Sequence, residues 1–460
     1  MDTLIAQILK DFTLDDYRPI VPRSLNLEQP LEPRAGNLAI VIIGVRRCGK
    51  TYRLFQQMDA LLAQGVSPER MLYFNFEDSR ISPATSQTGD AVLQTYRQMY
   101  PEAFDQGVYL FFDEIQEMDG WDRWLRRVID TTRATIYVTG SSSKLLSEEV
   151  ASAFRGRSVA YELSPYSFRE YVLASGLEVS SLTSVKGEER NESRLVLSSA
   201  EAARAQALFV SYLQQGGFPA VCSVSEQRAV RVLQGYAQRV VAKDVIERHN
   251  LSNPQAVTAF AQRVLASSGR GLSVRKAENT LKSQGIAVSR NFLSQVLAYF
   301  EDAFLVASVH EFSRSLSAVS NKSCKVYAVD QGLALANSSA ATQDAGQRLE
   351  TLVYNELRRR CAYGRPGSVS TYRTTKGAYE VDFIVGDAVL QQSFELYQVC
   401  LDVSSDATRA REVRALNAAM AECGLGEGFL LVGEGSVEDI AVESGTVHQL
   451  PVWLWALAGA

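Results

Sequence analysis

Gly44-Val45-Arg46-Arg47-Cys48-Gly49-Lys50-Thr51 fills every fixed position of G-x-x-x-x-G-K-[ST]. The residues before it, Leu38-Ala39-Ile40-Val41-Ile42-Ile43, form a short apolar run of the buried-strand type. After it, Tyr52-Arg53-Leu54-Phe55-Gln56-Gln57-Met58-Asp59-Ala60-Leu61-Leu62 carries apolar residues at helical spacing. A strand, a glycine-bearing loop and a helix start make an anion cradle, because loop N–H groups and the helix dipole converge on phosphate oxygens. Gly44, Val45, Arg46, Arg47, Cys48, Gly49, Lys50, Thr51 and Tyr52 are therefore the expected nucleotide-binding residues. Lys50 is expected to reach the β- and γ-phosphates, and the Thr51 hydroxyl to ligate Mg²⁺.

Working outward, the 460 residues are enough for two to four domains. Hydrophobic content of 46% and charged content of 22% are ordinary for a globular chain. No apolar run approaches the roughly 18 residues of a membrane span, and the N-terminus lacks a basic stretch followed by an apolar one. The six cysteines are scattered without a C-x-x-C pair, so reduced thiols in a cytoplasmic protein are expected rather than a disulfide frame. Three distant histidines argue against a His-based metal site, and a net charge of −5 against a global pull toward nucleic acid.

Arg70 to Asp78 predicts a second strand ending in polar residues. Gly107-Val108-Tyr109-Leu110-Phe111-Phe112-Asp113-Glu114-Ile115 predicts a third, running into two acids. Following a strict P-loop, that ending assigns Asp113 to Mg²⁺ and Glu114 to polarising the attacking water. Thr135 to Ser143 predicts another strand with hydroxyls at its end. Ser141 is the candidate γ-phosphate sensor, the alternative being a cap for the helix expected near Ser143. Arg155 and Arg157 are candidate arginine fingers, in cis or from a neighbouring subunit, with a plain surface role as the alternative.

These strings, with Glu162-Leu163-Ser164-Pro165-Tyr166-Ser167-Phe168-Arg169-Glu170, Tyr212 to Pro219 and Lys243 to Arg248, resemble one family across nearly the whole chain. It is the bacterial and archaeal AAA-type P-loop ATPases with a C-terminal domain of unknown function, related to the STAND ATPases. The resemblance implies ATP as the nucleotide and a helical lid in which Gly217 and Pro219 face it. Read from the residues alone, Gly216-Gly217-Phe218-Pro219 is a helix stop and turn.

Further on, helices are expected over about 255–267, 274–283 and from 291, followed by strands at 304–309 and 325–329: the order of a winged helix-turn-helix. Residues 255 to 325 hold 9 Lys and Arg against 4 Asp and Glu, a local excess of about +5 that makes DNA a candidate partner. A structural module is the other reading. From residue 346, Glu350 on a helix, Asp382 on a strand and Gln398 on the next strand resemble the PD-(D/E)XK nuclease skeleton, in which acids hold Mg²⁺. Cys400 stands where that skeleton keeps its lysine, and a thiol supplies no fixed positive charge. A retired nuclease fold used for binding or assembly is thus expected, with a DNA-cutting effector as the alternative.

The expected fold is α/β: a P-loop NTPase parallel sheet with helical lid, a winged helix, and a restriction-endonuclease-like α/β domain. The expected boundaries are a lead-in over 1–35, ATPase core 36–175, linker and lid 176–253, winged helix 254–340 and nuclease-like domain 341–460. The expected activity is Mg²⁺-dependent ATP hydrolysis moving the C-terminal domains, and a slow nucleotide switch acting through protein partners is the competing reading. A homo-oligomer is a candidate assembly.

Overall fold

The computed structural model describes residues 2–27, 31–141, 157–177, 197–312, 324–338, 345–362, 368–375, 379–387 and 392–459. The chain forms two compact units: Met1–Ser164 with Asp302–Phe304, and Pro165–Glu301 with Leu305–Ala460.

The first unit is built on a five-stranded, all-parallel sheet. Its strands are β1 (Ala39–Ile43), β2 (Met71–Asn75), β3 (Val108–Asp113), β4 (Ala134–Gly140) and β5 (Ser158–Glu162), in the order β2-β3-β4-β1-β5. Every residue of β1, β3 and β4 is buried, which is why these strands read as unbroken apolar runs instead of alternating ones. Phe111 and Tyr137 stack across β3 and β4 with ring centres 4.8 Å apart, a contact contributing on the order of 1 kcal/mol beyond its buried area. Helices α1 (Asp2–Asp11), α2 (Lys50–Ala63), α3 (Ser86–Met99) and α4 (Trp121–Thr131) accompany the sheet. The proline-rich lead-in joins this unit: Phe12 and Tyr17 pack their rings on Phe55 of α2 at 5.7 and 4.6 Å.

The second unit begins with helices, among them α5 (Phe168–Ala174), α6 (Ser199–Gln215) and α7 (Glu226–Arg239). Helices α8 (Pro254–Ala266), α9 (Val274–Ser283) and α10 (Arg290–Asp302) then lead into an antiparallel pair, β6 (Val306–Val309) and β7 (Lys325–Ala328). These elements stand within a few residues of where periodicity places them. A mixed sheet follows, with β8 (Ser368–Arg373), β9 (Glu380–Asp387), β10 (Gln392–Asp402), β11 (Glu427–Glu434), β12 (Glu438–Val442) and β13 (Gly445–Pro451) in the order β8-β9-β10-β11-β13-β12. Strands β8 to β10 run antiparallel, whereas β10, β11 and β13 are parallel, with α11 (Ala345–Ala362) and α12 (Asp406–Cys423) packed against the sheet. Trp455 near the C-terminus is buried, its ring under the Arg360 guanidinium at 3.9 Å. Of the polar stretch from about 176 to 200, expected as a surface insertion or linker, residues 178–196 lie outside the described residues. Among the described residues no helix is long and apolar enough to cross a membrane.

Candidate nucleotide-binding site

The site grows from the carboxyl ends of three neighbouring strands, where open α/β sheets bind ligands. β4 lies between β1, which feeds the glycine loop, and β3, which ends in Asp113. The loop's backbone is special at three positions: Gly44 has φ +146°, Arg47 +70° and Gly49 +105°. At Gly44 there is also no space, since a Cβ there would sit 2.1 Å from the Leu163 carbonyl oxygen. Helix α2 starts at Lys50, so its unpaired N–H groups and dipole open onto the loop.

Lys50 is buried and its ammonium donates to the carbonyls of Gly44 (3.2 Å) and Val45 (3.4 Å). It also pairs with Glu114 Oε1 at 3.4 Å. Thr51 Oγ1 donates to Asp113 Oδ2 at 2.7 Å, the Tyr73 hydroxyl donates to the same oxygen at 3.0 Å, and Thr139 Oγ1 donates to Asp113 Oδ1. Glu114 adopts φ +49°, and its N–H donates to Thr139 Oγ1 at 2.9 Å. Gln116 Nε2 donates to Glu114 Oε2 at 2.5 Å, leaving Gln116 Oε1 buried without a hydrogen-bond partner among the described residues.

The electrostatics divide the two acids. Burial pushes the Asp113 carboxyl up from its ordinary range and the Glu114 charge adds to this, with the three hydroxyls pulling the other way. Burial also works against charge on Glu114, but Lys50 outweighs it and holds that carboxylate below its usual range. Lys50 is likewise desolvated, and Glu114 more than compensates, keeping the ammonium charged. Burial raises the Cys48 thiol, so this loop cysteine is a neutral packing group.

Not every expected residue takes part in the same way. Arg46 is tied to Glu77 and Glu117, each at 3.3 Å, and Tyr52 is exposed beside Tyr17. Ser141 is buried, 3.5 Å from Gln116 Nε2, while the hydroxyl that touches both acids is Thr139. Arg157, expected as an arginine finger in cis or from a neighbouring subunit or else as a surface residue, does not face the loop of its own chain. It precedes β5, its carbonyl accepts from Ala39 N–H at the opening of β1, and its guanidinium pairs with Asp130. It therefore sits at the amino edge of the sheet, about 13 Å of strand away from the loop. Arg155 and the helix start near Ser143 lie outside the described residues. Gly217 and Pro219 belong to the second unit. There Gly217 N–H donates to buried Asp330 at 2.7 Å, and a Cβ on Gly216 would meet the same carboxylate at 2.0 Å. The double glycine thus has a packing reason of its own.

The lead-in supplies a residue that periodicity could not mark. Arg23 is buried, and its guanidinium donates to the Cys48 carbonyl at 2.9 Å and the Ser164 carbonyl at 2.6 Å. It braces the loop from outside the motif. Tyr73 and Gln116, ordinary strand and loop residues in the sequence, are the other contributors visible only here.

The donor set suits Mg²⁺: a hydroxyl and a carboxylate converge as hard oxygen ligands at the phosphate end of a P-loop. Thr51 and Asp113 are the residues that would hold it.

Residues 36–172 match the family model described as an AAA domain, and residues 206–344 match a model for a domain of unknown function. An uncharacterized protein of Methanocaldococcus jannaschii is 29% identical over 424 residues, covering 91% of this chain and 88% of its own. An uncharacterized protein of Haemophilus influenzae is 27% identical over 386 residues, covering 82% and 88%. Among solved structures, the Aeropyrum pernix Orc1 protein in complex with DNA is 15% identical, covering 73% of this chain and 91% of that one, with a TM-score of 0.27. Cdc6p from Pyrobaculum aerophilum is 11% identical, covering 63% and 82%, with a TM-score of 0.25.

Proposed function

We propose that this protein binds ATP with Mg²⁺ and hydrolyses it, using the rearrangement of its first unit to drive its second. The observation that carries the reading is the convergence of Thr51 and Asp113, with Lys50 and Glu114 paired beside them, where the AAA domain match lies. Mg²⁺, when bound through Thr51 and Asp113, neutralises charge on the phosphates. Lys50 exchanges Glu114 for phosphate oxygens as the nucleotide enters. Glu114 then loses the ammonium that holds its affinity for protons down, so its carboxylate becomes a stronger base. Gln116 keeps that carboxylate aimed, and Thr139 fixes the backbone behind it. ATP is preferred over GTP in this proposal on family resemblance, since the loop itself reads only phosphate. Two relatives match this chain across both units.

Calorimetric titration of the full chain with ATP, and phosphate release with Mg²⁺, test the reading. Lys50→Ala is expected to abolish both; unaltered binding by that variant overturns it. Coupling is tested by limited proteolysis of the second unit with ADP against a non-hydrolysable ATP analogue, and identical patterns refute it.

DNA contact is a second reading. It is favoured by the exposed side chains of Arg270, Arg275, Lys276 and Arg290 on or beside α9 and α10. Fluorescence anisotropy with duplex DNA should give binding that weakens steeply with salt, and no binding at low salt removes this reading.

A further inference from the structure

The acids that resemble a nuclease skeleton are brought together in the second unit, and so is a residue outside that skeleton. Lys325, the first residue of β7, places its ammonium 3.0 Å from Glu350 Oε1, 3.5 Å from Asp382 Oδ1 and 3.6 Å from Glu380 Oε1. Neutral donors reach the same two acids. The Tyr327 hydroxyl donates to Glu350 Oε1 at 2.7 Å, and Val399 N–H donates to Asp382 Oδ2 at 2.9 Å. Gln398 accepts from Asp382 N–H through its only oxygen at 3.3 Å and donates to Glu412 at 2.9 Å. Cys400, at the lysine position of the skeleton, is a thiol whose Sγ contacts the Asp402 carbonyl, and burial keeps it protonated. Among the described residues, no group of three or more His, Cys, Asp or Glu could hold a metal ion. The residues present do not fit the Mg²⁺ that the resemblance implies.

We propose that Lys325 is the resident cation of this cluster, standing where a divalent metal would and closing Glu350 and Asp382 to metal-dependent phosphodiester cleavage. An ammonium bridging two partly buried carboxylates supplies the charge that their desolvation demands, and its fixed tether makes it unlike an exchangeable ion. The lysine also has a structural address. The segment after β6 runs alongside β8, with Phe312 N–H donating to the Thr371 carbonyl at 2.7 Å and Thr371 N–H to the His310 carbonyl at 3.1 Å. β7, paired to β6, is thereby anchored beside the sheet whose acids Lys325 joins. One basic residue of the β6–β7 pair, Lys325, is thus turned toward acids of the same unit.

Manganese electron paramagnetic resonance on the full chain without nucleotide tests this. Wild type and Asp382→Asn are expected to bind the same number of Mn²⁺ ions, and neither should cut plasmid DNA with Mg²⁺ or Mn²⁺. Lys325→Met is expected to gain a Mn²⁺ ion that Lys325→Met/Asp382→Asn loses. A Mn²⁺ ion bound by wild type and lost in Asp382→Asn overturns the proposal, as does a folded Lys325→Met variant that gains none. Should Lys325→Met not fold, the comparison of wild type with Asp382→Asn decides alone.

Discussion

Lys50 Nζ lies 3.4 Å from Glu114 Oε1, so the cation proposed to read phosphate and the carboxylate proposed to activate water are each other's counter-ions. In the proposed function the pair would make substrate binding and base activation one event, because phosphate taking Lys50 would release Glu114. Glu114→Gln is therefore expected to keep ATP binding while phosphate release falls at least about 100-fold, the usual contribution of a positioned general base. Equal turnover in the variant would move the base role elsewhere.

Asp113 carries three hydroxyl donors, and Thr139 among them also holds Glu114 in its left-handed conformation. Thr139→Val keeps the shape and removes both contacts. Turnover should drop by roughly 10-fold or more with ATP affinity little changed, since the lost hydrogen bond to the Asp113 carboxylate alone is worth about 1.5–3 kcal/mol. Steady-state kinetics beside calorimetric affinity separates the two effects.

Gly44 has no room for a side chain: its φ is +146°, and an added Cβ would lie 2.1 Å from the Leu163 carbonyl oxygen. Gly44→Ala is expected to destabilise the first unit by about 2–4 kcal/mol, combining backbone strain and steric overlap. Urea unfolding of the variant measures it. Arg23→Ala should also lower stability and weaken ATP binding, because the guanidinium holds the loop carbonyl of Cys48.

Asp330 is buried under the Gly216-Gly217 turn, and burial pushes its carboxyl up to about 6 despite the backbone N–H groups of Gly217 and Leu333 that favour the charge. The folded state thus keeps a proton that the unfolded chain has released above about pH 4. Its contribution is fully present below the unfolded value and is lost as pH rises through 6, a loss of about 3 kcal/mol at 1.36 kcal/mol per pH unit. Denaturation midpoints measured from pH 4 to 7 should show this fall, and Asp330→Asn should flatten it.

What the sequence determined by itself is local. The strand, glycine loop and helix of residues 38–62 and the apolar run into Asp113-Glu114 could be read because period, composition and motif act within a few residues. The helices and strands of 254–329 could be placed for the same reason. Tertiary structure alone decided which of these groups meet. Arg23 reaches Cys48 across 25 positions, Thr139 reaches Asp113 across 26, and Lys325 reaches Asp382 across 57. Such contacts leave no periodic trace, since a lysine at the start of a strand reads alike whether water or two carboxylates receive it. Arg157 is the converse case: close in sequence to the expected site, it is carried to the far edge of the sheet by the direction of β5. Strand order and direction, set by packing of the whole sheet, placed the chemistry that residue types could only suggest.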